Sequence, residues 1–580
     1  MPLLLRSTRP AQKAQQAAHF HVGQQQTANG LRIMTPQEKR TSALLSDGYF
    51  PVQLPPPFCS ATLGSAVPAL NACFASAMTY LSACESFSVA RVGHRRRTTK
   101  LPNPISQFLL ARAIAANWTT ISKHLRRSKL SLSNPRLNTT IGERSIQIPS
   151  LGELESERVS RSAGYRYALV SDVTQFFPSL YTHALPWALH TKSAVKAALR
   201  ARPRRSSGFG DDLDKHARNC QLQQTIGVPI GPDTSHVLAE IVAVGVDIEL
   251  RQALKSWPAG YRYVDDFVLF FSARAEADAA LSHLNQALAE YELRPNENKT
   301  RIVSIDALEI DSWVHELRHF EFSHTKSRQA QELHHFFQIA FAHASRHQNE
   351  SVMKFALRRV AVELIRKDNW TIFESYLLRV AITYPDTLQL VSQFLCTYRV
   401  AGFHIDLVAL RRTLETLLRE HAPFGHHSEV AWALWIAIDN SVKLSRSVVQ
   451  PITNAQSSIC ALLVLHLESL GLTSGRLSTS NLKLKCNASS LQTEDWLLAY
   501  QAEKDSLFSG LAAYVSADPN FSHLLSSSVT FYDKNASQKH LFTIKAADPL
   551  LDIPDDIFEL EENPNEYLEF FDVDEEYIDW

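Results

Sequence analysis

Arg262-Tyr263-Val264-Asp265-Asp266-Phe267-Val268-Leu269-Phe270-Phe271 is a pair of apolar, β-prone runs that meet at two adjacent carboxylates. Val, Tyr and Phe favour strands and Asp favours turns, so the stretch reads as a hairpin with Asp265 and Asp266 at its tip. Adjacent acids repel each other, and a divalent cation that neutralises them is the usual reason to place them at the end of a hydrophobic hairpin. A solvated Asp-Asp turn between ordinary strands is the competing reading.

A second stretch shifts the balance. In Tyr167-Ala168-Leu169-Val170-Ser171-Asp172-Val173-Thr174-Gln175-Phe176-Phe177-Pro178 another apolar strand ends on an acid, followed by two aromatics and a proline. Two strand-borne acidic sites separated by a long, mostly helical insertion are what two-metal nucleotidyl transfer needs. Its metals sit roughly 3.5–4 Å apart, one activating the attacking 3′-hydroxyl and the other holding the triphosphate.

The two stretches resemble motifs A and C of reverse transcriptases, with Tyr263-Val264-Asp265-Asp266 standing at the Y-x-D-D box. The resemblance implies an α+β fold with the fingers and palm of a right-hand polymerase. It also implies Asp172, Asp265 and Asp266 as catalytic and metal-binding carboxylates for two Mg²⁺ ions, or Mn²⁺ in their place.

The chain of 580 residues is 45% hydrophobic, enough for a large core and more than one domain. Its seven cysteines lack C-x-x-C spacing, which fits reduced thiols rather than a disulfide frame or a zinc site. No apolar run approaches the roughly 18 residues needed to span a bilayer, and the expectation is a cytoplasmic protein without a membrane partner. The formal net charge of zero hides an asymmetry. Residues 548–580 carry fourteen acids and no Lys or Arg, so residues 1–547 hold 59 basic residues against the remaining 45 acids, an excess of +14. A basic body suits phosphate binding, and the acidic tail reads as a solvated terminus.

In chain order, residues 1–40 read as a poorly ordered lead-in. Gly48-Tyr49-Phe50-Pro51-Val52-Gln53-Leu54-Pro55-Pro56-Pro57-Phe58 excludes helix and predicts an extended strap. Arg91-Val92-Gly93-His94-Arg95-Arg96-Arg97-Thr98-Thr99-Lys100 precedes a Pro-Asn-Pro corner, and Arg95 and Arg96 are its candidate triphosphate or template contacts, a solubilising loop being the alternative. A helix is expected over 105–125. Residues 200–210 form an Arg/Ser/Gly loop. Gln224, in the Gly/Pro-rich run Gln221 to Ser235, resembles the motif B nucleotide contact, and Gly227 and Gly231 permit close backbone approach. By the same resemblance Phe177 packs beneath the incoming sugar and excludes a 2′-hydroxyl, a core phenylalanine being the other reading. Lys299, in a stretch similar to motif D, approaches the β/γ-phosphates and can protonate the leaving pyrophosphate.

From about residue 320 the pattern turns helical, with segments near 332–344, 351–366, 369–382, 386–398 and 406–420 in the manner of a HEAT-like array. The reading is a lead-in at 1–40, fingers and palm at 41–319, an all-α helical repeat domain at 320–547 and the acidic tail at 548–580. The strap, Thr182-His183-Ala184-Leu185-Pro186-Trp187-Ala188-Leu189-His190 and the helical half resemble the abortive-infection and unknown-group branch of bacterial defence-associated reverse transcriptases. That branch implies an antiphage enzyme polymerising dNTPs into a DNA product, protein-primed or without a nucleic-acid template, or copying a dedicated non-coding RNA. An accessory defence protein and a homo-oligomer are the further partners it implies. Tyr376, Tyr384, Tyr398, Tyr500 and Tyr532 are candidate priming tyrosines in the helical half, packing being the other reading for each. A catalytically silent RNA-binding scaffold is the reading of another class.

Overall fold

The computed structural model describes residues 34–542, apart from 75–78, 94, 150, 202–204, 207, 309–311, 324 and 349–350. The acidic tail, His94, part of the 200–210 loop and most of the lead-in therefore lie outside the described residues. The lead-in as read from sequence is too long. A helix begins at Pro36, because Thr35 Oγ1 accepts from Glu38 N at 3.2 Å while Glu38 Oε2 accepts from Thr35 N at 2.9 Å. This capping box, with proline in the first turn, starts the helix inside a segment whose composition alone looks unstructured.

Strands β1 (Cys84–Ala90) and β2 (Arg96–Pro102) form an antiparallel hairpin. Strands β3 (Arg136–Leu137) and β4 (Ile146–Gln147) form a short second ladder. The principal sheet is antiparallel throughout, in the order β6-β7-β5-β8, built from β5 (Tyr167–Ser171), β6 (Ala259–Tyr263), β7 (Asp266–Phe271) and β8 (Arg301–Ser304). The register Ser171↔Phe267 brings the end of the Asp172 strand beside the start of β7, so the ladder itself draws the two acidic stretches together.

Helix Pro104–Leu125 packs against helix Asp233–Ala253, which packs in turn against Arg274–Glu290, the helix that covers β5, β7 and β8. The first matches the expected 105–125, capped by Asn103 Oδ1 accepting from Ile105 N at 3.1 Å. Asp233–Ala253 is buried along most of its length, an apolar rod beneath the sheet. Its first residue, Asp233, is tied to Arg144, Ser145 Oγ at 2.5 Å and Ile146 N at 2.9 Å.

The strap is not extended. Leu54 N donates to Pro51 O and Phe58 N to Pro55 O, so the prolines set two successive turns, the conformation their fixed φ favours once neighbouring carbonyls are in reach.

Beyond Lys326 the chain is helical: Lys326–Arg346, Val352–Val360, Trp370–Thr383, Leu388–Val400, Leu407–His421, His427–Asp439 and Ser458–Ser469 follow one another. Aromatic pairs join them, Phe337 stacking on Tyr376 at 4.5 Å and Trp370 on Tyr398 at 4.6 Å between ring centroids. The helix expected over 351–366 stops at Val360, because Ile365 N and Arg366 N donate to Tyr398 Oη and Gln329 Oε1 instead of to the preceding turn.

The chain then returns to its beginning. Trp496 Nε1 donates to Leu101 O, Asn103 Nδ2 to Leu491 O, Cys59 N to Phe531 O and Asp533 N to Pro57 O. Trp432 Nε1 donates to Gln53 O at 2.9 Å. One continuous apolar core runs from Leu44 to Tyr532 as a result.

Candidate active site

The hairpin turn is two residues, Val264 and Asp265, between the paired Tyr263 and Asp266. Val264 has φ +50°, a strained conformation for a β-branched residue. Its peptide is held from both sides: Val264 N donates to Ser133 Oγ at 2.8 Å, and Val264 O accepts from Arg262 at 2.7 Å. Arg262 is fully buried. Its fork also binds Glu240 and Asp247, both on helix Asp233–Ala253, at 2.7 Å and 2.8 Å. Ser131 Oγ and Ser128 Oγ complete the network by donating to Glu240 and Asp247. Strain of this kind persists only where the surroundings over-determine it, and it clusters at functional sites. Gly260, in the opposite strand, is required by space as well, since a Cβ there would meet the Val268 carbonyl oxygen at 2.2 Å.

What the turn presents is a carboxylate cluster. Asp172 lies close enough for its charge to raise the pKa values of both Asp265 and Asp266. Burial first, then mutual repulsion, pushes Asp266 up to about 7 and holds Asp265 well above the usual carboxylate range. Asp265 Oδ1 is buried without a hydrogen-bond partner among the described residues. Lys299 Nζ reaches Asp172 Oδ2 at 2.6 Å. Its pKa is raised although burial opposes this, because the Asp172 hydrogen bond and the charges of the three aspartates outweigh desolvation.

A further residue, not singled out in the sequence, fixes Asp172. Asn296 N donates to Asp172 O at 2.7 Å and Asn296 Nδ2 to Asp172 Oδ1 at 3.2 Å. The Pro-Asn-Glu-Asn turn before Lys299 was the available signal, since Asn and Pro there mark a tight reversal able to turn side chains onto a neighbouring strand.

A cavity of about 500 Å³ opens over the cluster, and Asp172, Phe177, Gln224, Asp265, Asn296 and Lys299 all line it. Of the cationic run, Arg91, Arg97 and Lys100 reach its wall. Arg96 borders it too, but its guanidinium is committed to Glu429 at 2.6 Å and 2.8 Å. Arg95 is exposed at the β1–β2 turn and lies off the cavity wall. Of the two arginines expected at the site, Arg95 thus stands away from the wall and Arg96 is claimed by a buried glutamate, while Arg97 and Lys100 line the wall, Lys100 Nζ donating to Gln221 Oε1 at 3.0 Å.

Phe177 is half-buried against the core and sits at the cavity face, while Phe176 is buried. Gln224 is exposed, its Nε2 donating to Ile226 O at 2.6 Å. Gly227 and Gly231 serve the protein's own packing: a Cβ would meet Pro178 O at 2.9 Å and Pro51 Cγ at 2.6 Å. The tyrosines of the helical half are engaged in packing, Tyr500 Oη donating to Val529 O and Tyr532 Oη sharing a proton with His466 Nδ1.

Three convergent carboxylates beside a lysine, beneath a cavity whose wall carries cationic side chains, suit metal-dependent nucleotidyl transfer. Residues 116–344 match the family model for reverse transcriptase (RNA-dependent DNA polymerase), bounds that enclose Asp172, Asp265, Asp266 and Lys299. The match supports an RNA-directed DNA polymerase domain in this part of the chain. No curated protein matches the chain. Among the described residues no helix is long and apolar enough to cross a membrane.

Proposed function

We propose that this protein is a DNA polymerase of the reverse-transcriptase type, with the β6-β7-β5-β8 sheet as its palm, the β1–β2 hairpin among its fingers and a HEAT-like helical domain after residue 319. The observation that carries the reading is the convergence of Asp172, Asp265 and Lys299 on one cavity, with Asp266 close enough for the Asp172 charge to raise its pKa. The residues fit divalent metal: three oxygen donors, one buried oxygen without a partner, and repulsion that a cation relieves. Asp172, Asp265 and Asp266 would hold Mg²⁺, or Mn²⁺, which lowers the pKa of the attacking hydroxyl and neutralises phosphate charge when bound.

The remaining chemistry belongs to the chain. Lys299, cationic and aimed into the cavity, donates a proton to the departing pyrophosphate. Arg97 and Lys100 draw the triphosphate. Phe177 occupies the space of a 2′-hydroxyl and selects dNTPs. Gln224 faces the incoming nucleotide.

The branch-level reading is antiphage defence, with synthesis that is protein-primed or untemplated, or that copies a dedicated non-coding RNA. Purified protein incubated with labelled dNTPs and Mg²⁺, with and without RNA, tests the activity against an Asp265→Ala/Asp266→Ala variant. Incorporation by the wild type alone supports the polymerase. No incorporation under any template condition would leave the palm as an RNA-binding scaffold.

A further inference from the structure

A second cluster of ligating side chains lies away from the polymerase cavity, where the helical half meets the β1–β2 hairpin. Helix Leu407–His421 ends in the turn Ala422–Phe424, and Gly425 at φ +64° reverses the chain so that His426 N donates to His421 O. The next helix, His427–Asp439, begins at once. This tight reversal points His421 Nδ1, His426 Nδ1 and Glu429 Oε1 at one another. The Nδ1 atoms are 2.9 Å apart, and they stand 3.8 Å and 3.7 Å from Glu429 Oε1.

Three donors around a metal at the 2.0–2.1 Å typical of zinc-imidazole and zinc-carboxylate bonds are separated by about 3.3 Å when tetrahedral. The observed triangle straddles that value. Two imidazoles and one carboxylate are also a donor set found in zinc sites that keep a position open. The site is supported as metal sites are. Glu429, 2% exposed, is held by Arg96 through both oxygens, Oε1 at 2.6 Å and Oε2 at 2.8 Å, and by Ser428 Oγ on Oε2 at 2.7 Å, and Oε1 is the oxygen that also faces the histidines. The turn is pinned to β1 through Ser88 N to His427 Nδ1 and Ala90 N to Ser428 Oγ.

We propose that His421, His426 and Glu429 form a transition-metal site of the Zn²⁺ class, which clasps the Leu407–His421/His427–Asp439 reversal against the β1–β2 hairpin. Arg96 already offsets the charge of Glu429, so the imidazole nitrogens carry the affinity. Mg²⁺, which demands an octahedron of oxygens, does not compete here. The proposal stands apart from the polymerase reading and shares no ligand with its carboxylates.

Full-length protein stripped with EDTA is titrated with Co²⁺ in excess Mg²⁺, which occupies oxygen sites. The expected result is one equivalent of Co²⁺ with visible ligand-field bands of a four- or five-coordinate nitrogen site, displaced by Zn²⁺. The bands persist in Asp265→Asn/Asp266→Asn and are lost, with at least about tenfold weaker Zn²⁺ retention, in His426→Ala and in His421→Gln. A wild-type protein without such bands overturns the proposal whatever the variants do. Bands of unchanged intensity in both histidine variants overturn it as well.

Discussion

Arg262→Met is the sharpest perturbation of the site that leaves every proposed metal ligand in place. All five N–H groups of Arg262 are used: Nε to Asp247 Oδ1 at 3.0 Å, one terminal nitrogen to Glu240 Oε2 at 2.9 Å and Val264 O at 2.7 Å, the other to Glu240 Oε1 at 2.7 Å and Asp247 Oδ2 at 2.8 Å. Arg262 and Asp247 are fully buried and Glu240 is 1% exposed, so no solvent screening softens the loss. Removing one partner of a buried ion pair costs about 3–5 kcal/mol, and here two carboxylates are orphaned, which places the variant near 5 kcal/mol. Against a typical total of about 5–15 kcal/mol that is a marginal fold. Adding Glu240→Gln and Asp247→Asn removes the stranded charges while keeping acceptors for Ser131 and Ser128, and more than half of the loss returns. The assay is the urea midpoint at constant slope, followed by dNTP incorporation. The restored triple variant still lacks the anchor on Val264 O, so its kcat stays at least about tenfold low with KM for dNTP little changed. A single variant that loses under about 1 kcal/mol, or a triple variant with wild-type kcat, refutes the reasoning.

Four further outcomes are expected. Asp265→Asn/Asp266→Asn abolishes incorporation yet melts higher than wild type in EDTA, because neutral amides remove repulsion between buried carboxylates; a lower melting temperature contradicts this. Lys299→Ala lowers kcat by about 10²-fold or more with a smaller change in KM, as for a lost proton donor, and a pure KM effect in steady-state kinetics argues against that role. Phe177→Ala raises the ratio of rNTP to dNTP incorporation by about tenfold or more, measured by competition, through the space it opens. Glu85, fully buried, is pushed up to about 7 by desolvation, only partly offset by hydrogen bonds from the 458–459 backbone and side chain. Its folded pKa lies above the ordinary 4.5, so its contribution to stability is greatest below 4.5 and is lost as pH rises to about 7. Glu85→Gln therefore matches wild type near pH 4.5 and exceeds it near pH 8 by on the order of 3 kcal/mol in denaturant titrations; equal stability at both pH values contradicts the burial argument.

The hairpin and the paired acids were legible because both rest on local rules, strand propensity and turn chemistry, that hold whatever surrounds them. The convergence of Asp172 with them followed from order along the chain and from resemblance, since no local signal measures distance across a sheet. Arg262 shows where reading fails. In the sequence it is one more polar residue at the start of an apolar strand, and its role exists only once Glu240 and Asp247, about two turns apart on one helix, are packed beneath it. Arg96 failed for the converse reason: its apparent freedom in a cationic run vanishes against Glu429, more than three hundred residues away. The strap's prolines excluded helix correctly. What they turned toward depended on Phe531 to Asp533, again a long-range contact.

The two halves of the molecule are bound by the same logic that shapes the site. Asp265 and Asp266 destabilise the turn that carries them, Val264 adds backbone strain, and neither can be relieved locally without losing the donor set. Stabilisation must therefore come from elsewhere. The buried Arg262 network ties the hairpin to helix Asp233–Ala253 from below, while the returning segment from Leu491 to Asp533 clamps the strap and β2 on the other side. Because apolar burial contributes about 25 cal/mol per Å², a core continuous from Leu44 to Tyr532 can offset a few kcal/mol stored at one turn. The helical half also holds β2, which carries Arg97 and Lys100 at the cavity wall. Arg96 and Glu429 are the ion pair that joins that strand to the helical half, so the strand's place at the cavity depends on a contact made more than three hundred residues along the chain.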